Sequence, residues 1–254
     1  MSLAKTPPKT HFAEMKRADF IGLSIAIALI VSWLGHLALG LSTPIQAASD
    51  LLWVLPAMAF QTFLSTGLFI TAHDAMHGTV TPGSRRLNDA VGTLAVTLYA
   101  LFSFSRLRHY HGFHHGHPGS SERDPDFHDG QHRGFVRWYF RFTFRYLTWA
   151  QVAGMALVFN LLNHGWGIPV QNLLLLWVAP SLLSTFQLFF FGTYLPHRHA
   201  SAANDTHHAR SSDYPVWLSL LTCFHFGYHR EHHEHPAVPW WRLPEIRWPM
   251  RHRS

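Results

Sequence analysis

The chain has 254 residues, of which 48% are hydrophobic and 13% charged, about half the charged share of an ordinary soluble domain. Its apolar residues fall in long runs suited to lipid, and a single cysteine, Cys223, excludes both an internal disulfide framework and a four-thiolate iron–sulfur cluster. A formal charge of +6 would suit nucleic acid or an anionic membrane; the placement of the cations favours membrane lipid and no nucleic acid.

In chain order, residues 20–41 form the first apolar run long enough to cross a hydrocarbon core of about 30 Å. It is too long for the apolar region of a secretory signal and lacks a small-residue cleavage site after it. Ser42-Thr43-Pro44 and Asp50 mark a turn into a second span, 51–72. The stretch 90–104 falls short of a span. If it crossed, His73 and His77 would lie opposite the histidines that begin at His109, so it is read as interfacial or re-entrant. A shorter third span covers 149–164, the turn Gly165-Trp166-Gly167-Ile168-Pro169 follows, and a fourth span covers 170–195. Residues 216–226 make a second interfacial stretch. Trp240, Trp241 and Trp248 read as anchors at the membrane surface, and 247–254 as a basic surface contact or a disordered tail.

The expectation is therefore an all-α integral membrane protein, one membrane-embedded domain over 1–254. It has four transmembrane helices as two hairpins, interfacial helices and a cytosolic histidine-rich cap. The cations agree: four of the 20 Lys and Arg precede Ala18, nine lie between His73 and Tyr146, seven follow His197, and the outer loops have none. That bias puts both termini and both large polar segments in the cytosol.

Nineteen of the 22 histidines fall in those two cytosolic segments, outside which stand His11, His36 and His164. Their groups are His73-Asp-Ala-Met-His77, His111-Gly-Phe-His114-His115 and His229-Arg-Glu-His232-His233. A spacing of four puts two imidazoles on one helix face, and the i, i+3, i+4 pattern aims at least two rings at one point. A lone histidine is ordinarily just a packed or solvated residue; three spaced groups on one side of a membrane are not. Imidazole suits Fe, Zn, Cu and Ni, and eight convergent rings exceed the needs of one ion, so two metals are expected. No His-Glu-x-x-His and no Glu-x-x-His occurs, which argues against a zinc peptidase and a carboxylate-type di-iron bundle. A haem bundle would need axial histidines inside the spans, where only His36 is found.

These groups, separated by membrane hairpins, resemble the histidine boxes of the membrane fatty-acid desaturase and hydroxylase superfamily. Within it, four longer segments look like those of bacterial β-carotene ketolases. They are His73-Asp-Ala-Met-His-Gly78, His117-Pro-Gly with Asp124-Pro-Asp-Phe-His128, Gly192-Thr-Tyr-Leu-Pro-His-Arg198, and Phe224-His-Phe-Gly-Tyr-His-Arg-Glu-His-His233. The resemblance implies two non-haem irons and O2 acting on the C4 methylene of a β-ionone ring. Two hydroxylations at one carbon and loss of water leave a ketone, taking β-carotene to echinenone and canthaxanthin, or zeaxanthin toward astaxanthin. It also implies a bacterial inner-membrane enzyme with a cytosolic active site. The ligands it implies are His73, His77, His111, His114, His115, His229, His232 and His233, with His197 as a ninth and His199 and His225 as further candidates. Where desaturases carry an asparagine one turn before the ninth histidine, this chain has Thr193.

Asp74, Asp124, Asp126 and Glu231 lie among the histidines; Asp74 and Asp126 are expected to hold ring N–H groups and so orient metal ligands. His117-Pro118-Gly119 is not the haem motif of a fused cytochrome, since Ser120 stands at its second glycine. Electrons are then expected from a separate donor such as a ferredoxin, with the arginines between Arg133 and Arg145 a candidate dock for it. Phe186, Phe189, Phe190, Phe191 and Tyr194 are candidates for lining a carotenoid tunnel. The alternatives are an acyl-chain desaturase or hydroxylase, a carotenoid hydroxylase, and a membrane metal transporter or sensor, which would place ligands inside the spans.

Overall fold

The computed structural model describes residues 9–198 and 206–251, with side chains described from Glu14 to Arg247 outside that gap. His199 therefore lies outside the described residues, as do the side chains of His11 and Trp248 and the final residues 252–254. All regular structure among the described residues is helical. Three helices are long and apolar enough to cross a membrane, or four if one sharply bent pair counts as a single span.

α1 (Lys9–Ser42) and α2 (Leu51–His77) form the first hairpin. α1 turns Phe20, Ile27, Val31 and Leu39 outward, as a lipid-facing helix must. Asp50 closes the turn by accepting the amides of Gln46 and Ala47 at 2.7 and 2.9 Å. Inside the bundle the helices are joined by short polar bridges, such as Trp33 Nε1 to Ser65 at 3.0 Å and Thr66 to Ser184 at 2.9 Å. Such bridges satisfy side chains that water cannot reach.

α2 stops at Gly78, whose φ of +79° is one that only glycine adopts without strain; its amide and that of Thr79 cap the final turn. The stop leaves His73 and His77 in the last two turns. α3 (Arg85–Ala100) and α4 (Phe104–Gly116) are the bent pair, meeting at 100° across a three-residue break. Leu101 there takes a left-handed φ of 55°, and Ser103 caps the start of α4. The expected 90–104 element is thus broken at its C-terminal end, and α4 carries the second histidine group in a new direction.

α5 (Phe135–Tyr146) precedes α6 (Trp149–Asn160), which a widened turn prolongs to Gly165. At about 1.5 Å per residue this unit reaches about 25 Å, so the expected third span falls short of the length of the other three. The chain then reverses through Gly167 (φ +69°), with Asn163 donating to the Ile168 carbonyl, into α7 (Val170–His197). α7 widens twice, over Leu174–Val178 and Phe189–Tyr194, where amides reach back five residues. Such widenings rotate the faces beyond them and occur often beside functional sites. α8 (Val216–Cys223), α9 (His229–Glu234) and α10 (Leu243–Arg251) follow. Phe224 and His225 both have positive φ, 47° and 62°, a costly pair of non-glycine residues that turns the chain so α9 faces α2 and α4.

Candidate metal centre and substrate cleft

Four elements end at one place. α2 supplies His73 and His77, α4 supplies His111, His114 and His115, α7 ends on His197, and α9 supplies His229, His232 and His233. The nine rings sort into two groups, within each of which the ligating atoms lie within 4.8 Å of one another. One comprises His73, His77, His111, His115 and His232; the other comprises His114, His197, His229 and His233. His115 stacks on His233 with centroids 4.3 Å apart, so the groups adjoin.

Within the groups, ring nitrogens approach end to end. Nε2 of His77 is 2.7 Å from that of His111, and His115–His232, His233–His114 and His233–His229 stand at 3.0, 3.0 and 3.1 Å. Two imidazoles bound at about 2.1 Å and at right angles on one metal would be about 3.0 Å apart. The buried Nε2 atoms of His73 and His197 have no partner, as lone pairs reserved for a cation would. Burial above all, and then neighbouring rings, hold His229, His232 and His233 well below the ordinary imidazole range, so they stay neutral and able to ligate. The donor set fits two transition-metal ions.

The far nitrogens of three rings are held as metal-bound imidazoles usually are. His114 Nδ1 meets Asp124 at 2.9 Å, His73 Nδ1 meets Asp74 at 3.4 Å, and His197 Nδ1 donates to the His208 carbonyl at 2.7 Å. Asp124 also accepts the amides of Gly119 and Asp126, each at 2.9 Å. Burial would raise its pKa, but the His114 ring and those amides outweigh burial and hold it below the usual carboxylate value. Asp126 takes no ring N–H directly: its carboxylate is 3.8 Å from His114 Nδ1 and accepts the Tyr146 hydroxyl. Burial, reinforced by Asp124, pushes Asp126 up to about 6. Asp74 is shared, also accepting the Trp240 amide at 2.9 Å.

A cavity of about 580 Å³ opens onto these histidines. His73, His111, His114 and His229 form its inner end with Asp126, Tyr146 and Thr193. Its walls are Phe69, Tyr99, Phe102, Phe142, Met155, Phe159 and Trp177, and it follows α7 from Leu174 to Thr193, about 28 Å of helix. Gly192 makes room for the Phe226 ring, which would collide with any β-carbon there. The result is a long apolar slot closed by a polyhistidine floor.

The profile of the fatty acid desaturase family matches residues 62–254. A β-carotene ketolase of Paracoccus sp. (strain PC1) is 45% identical over 89% of this chain and 92% of its own length. Another from Paracoccus sp. (strain N81106 / MBIC 01143) is 43% identical over 92% and 96%. The zeaxanthin 4-ketolase of Chlamydomonas reinhardtii is 39% identical over 94% of this chain and 56% of its own length. The chain belongs to the β-carotene ketolases of the fatty acid desaturase family.

In this ketolase-family chain several residues sit elsewhere than the sequence suggested. Phe186, Phe189, Phe190 and Tyr194 do not line the slot; they pack on Phe135 of α5, with centroids 4.9–5.9 Å away. Phe191 packs toward Tyr214. The opposite face of α7, through Leu188, Gly192 and Thr193, meets the slot. His225 stacks on Tyr228 outside both histidine groups. Trp240 is no surface anchor: its ring packs edge-on against Phe224 and its amide binds Asp74, while Trp241 packs on Trp240. Arg247 is no loose tail residue either. It donates to buried Glu231 and to Asp213, each at 2.8 Å, and Glu231 also accepts the Ser211 hydroxyl. Glu231 thus faces away from the rings and ties α9 to α10. A glutamate between metal-box histidines and a basic residue near the C-terminus were the legible signals; their pairing was not.

Proposed function

We propose that the chain is an O2-dependent β-carotene 4-ketolase with two non-haem irons, fed with electrons by a separate donor such as a ferredoxin. The observation that carries it is the slot: apolar, long, and ending on histidines from both groups. His73, His77, His111, His115 and His232 would hold one metal, and His114, His197, His229 and His233 the other. The metals, when bound, supply O2 activation and the oxidising power that removes hydrogen from carbon.

The chain's own residues do the rest. The slot walls exclude water and lay the polyene along α7, so that one ring reaches the floor of the site. Asp124 fixes the tautomer of His114 and Asp74 that of His73. Thr193 stands at the inner end, where desaturases use an asparagine. At the ring carbon, CH2 becomes CHOH, then C(OH)2, and loss of one water leaves C=O. Several chain features also support an interfacial placement. Val136, Phe140 and Phe144 are exposed on α5 in a row beside Arg137, Arg141 and Arg145, as on a helix lying at the headgroups. That arrangement favours a lipid contact for these arginines over a docking patch for the donor. The cation bias supports an inner-membrane protein with its site and termini in the cytosol.

Expression in cells that accumulate β-carotene, with iron supplied, tests the reading. Echinenone and canthaxanthin are expected by chromatography; a folded, metal-loaded protein that leaves β-carotene unchanged would overturn it.

A further inference from the structure

Most helical threonines of this bundle share one pattern, and the buried hydroxyl of Thr143 departs from it. Thr62, Thr66, Thr71, Thr93, Thr185 and Thr222 each donate their hydroxyl to the carbonyl four residues earlier, at 2.7–3.0 Å. That is the ordinary way for a helical threonine to satisfy itself in an apolar setting. Thr143, in α5, does not. Its Oγ1 is buried and has no hydrogen-bond partner, although the Tyr139 carbonyl stands one turn behind it.

The same side chain lines the slot. Five other polar side chains there are engaged: Tyr99 with Thr185, Ser181 with the Trp177 carbonyl, Asn160 with the Ala156 carbonyl, Gln151 with the Ala100 carbonyl, Tyr146 with Asp126. Besides Thr143, the slot-lining residues with a buried unpartnered polar atom are His73 and His229, both metal-site histidines. Thr143 also sits at the reactive end. It precedes Tyr146 by three residues on one helix face, and Tyr146 is fastened to Asp126, which is 3.8 Å from His114. An unsatisfied buried hydroxyl is costly, and a ligand oxygen that meets it recovers that cost.

We propose that Thr143 is a specificity-determining residue: its hydroxyl binds a hydroxyl group carried by the β-ring beside the reacting methylene, and so admits hydroxylated carotenoids to the slot. This rests on the ketolase reading above. An unsubstituted ring gains nothing from Thr143, whereas a ring hydroxyl against this wall gains a partner from it. A site built to bond a substrate hydroxyl discriminates far better than an apolar pocket of the same shape.

The test is a competition assay with equimolar β-carotene and zeaxanthin, using metal-loaded wild type, Thr143→Val and Thr143→Ser in the same membranes. Valine keeps the shape and removes the hydroxyl; serine keeps the hydroxyl. Thr143→Val is expected to lower the zeaxanthin-to-β-carotene ratio of kcat/KM by about tenfold, and Thr143→Ser to hold it within about twofold of wild type. A ratio unchanged in Thr143→Val, or an equal loss on both substrates, would overturn the proposal. If wild type with full metal converts neither carotenoid, the ketolase reading itself fails and this inference falls with it.

Discussion

Asp124 and Asp126 are two residues apart and chemically alike, yet the fold gives them different work. Asp124 accepts one ring N–H and two backbone amides, while Asp126 stands in the slot wall bonded to Tyr146. Asp124→Asn is therefore expected to cost about 10- to 100-fold in metal affinity or activity, with Asp126→Asn retaining more metal than Asp124→Asn. Metal analysis of the two purified variants checks this, and equal retention would contradict it. The sequence put Asp126 rather than Asp124 on a ring N–H; the structure reverses this, because the turn at Gly119 seats Asp124 against His114. The pKa shifts make a second expectation. His229, His232 and His233 titrate below their unfolded value, so the unfolded chain binds more protons between the two. Their contribution to stability is complete above about pH 6.5 and is lost as pH falls below it. Chelator-treated protein is expected to melt at progressively lower temperature from about pH 7 to about pH 5; a flat profile would speak against neutral, buried rings.

At the scale of elements, the histidine helices were legible because spacing within a helix fixes which residues share a face. What a helix packs against was not. The aromatic run from Phe186 to Tyr194 looked like a tunnel wall, but α5 covers that face and the widened turn at Phe189–Tyr194 presents Gly192 and Thr193 to the slot instead. α10 gives the clearest case of tertiary pairing hidden from sequence. Its Arg247 joins Glu231, which is 2% exposed, to Asp213. Removing one partner of a buried ion pair leaves the other charge unpaired, which typically costs about 3 kcal/mol. Arg247→Ala is expected to lower the melting temperature and loosen metal binding, with Arg247→Lys intermediate because lysine cannot span both carboxylates as a fork. Thermal unfolding in detergent with metal analysis decides; an unchanged variant would remove the latch from the account.

Over the whole molecule, the bundle carries long apolar helices whose polar ends gather into one chamber. The two hairpin turns near Asp50 and Gly167 lie at the ends of these helices away from the histidines. Thiol labelling from either side of sealed vesicles, in a Cys223→Ala background, is expected to modify Thr43→Cys and Trp166→Cys from outside and Ser120→Cys from the cytosol. Labelling of Ser120→Cys from outside would reverse the orientation. The sequence made the long spans and the cation bias plain, and it placed the ends of α6 with its widened turn to within a residue; α6 is nonetheless shorter than the three helices long and apolar enough to cross. The substrate slot was not legible at all, being assembled from seven separate helices.

The most direct test of the central claim is the iron content of purified protein that makes keto-carotenoid in the presence of O2. Two irons per chain are expected, one for each histidine group, with ketone formation lost when they are removed and recovered when iron is restored. Full ketone formation by protein holding one iron, or none, would contradict the account.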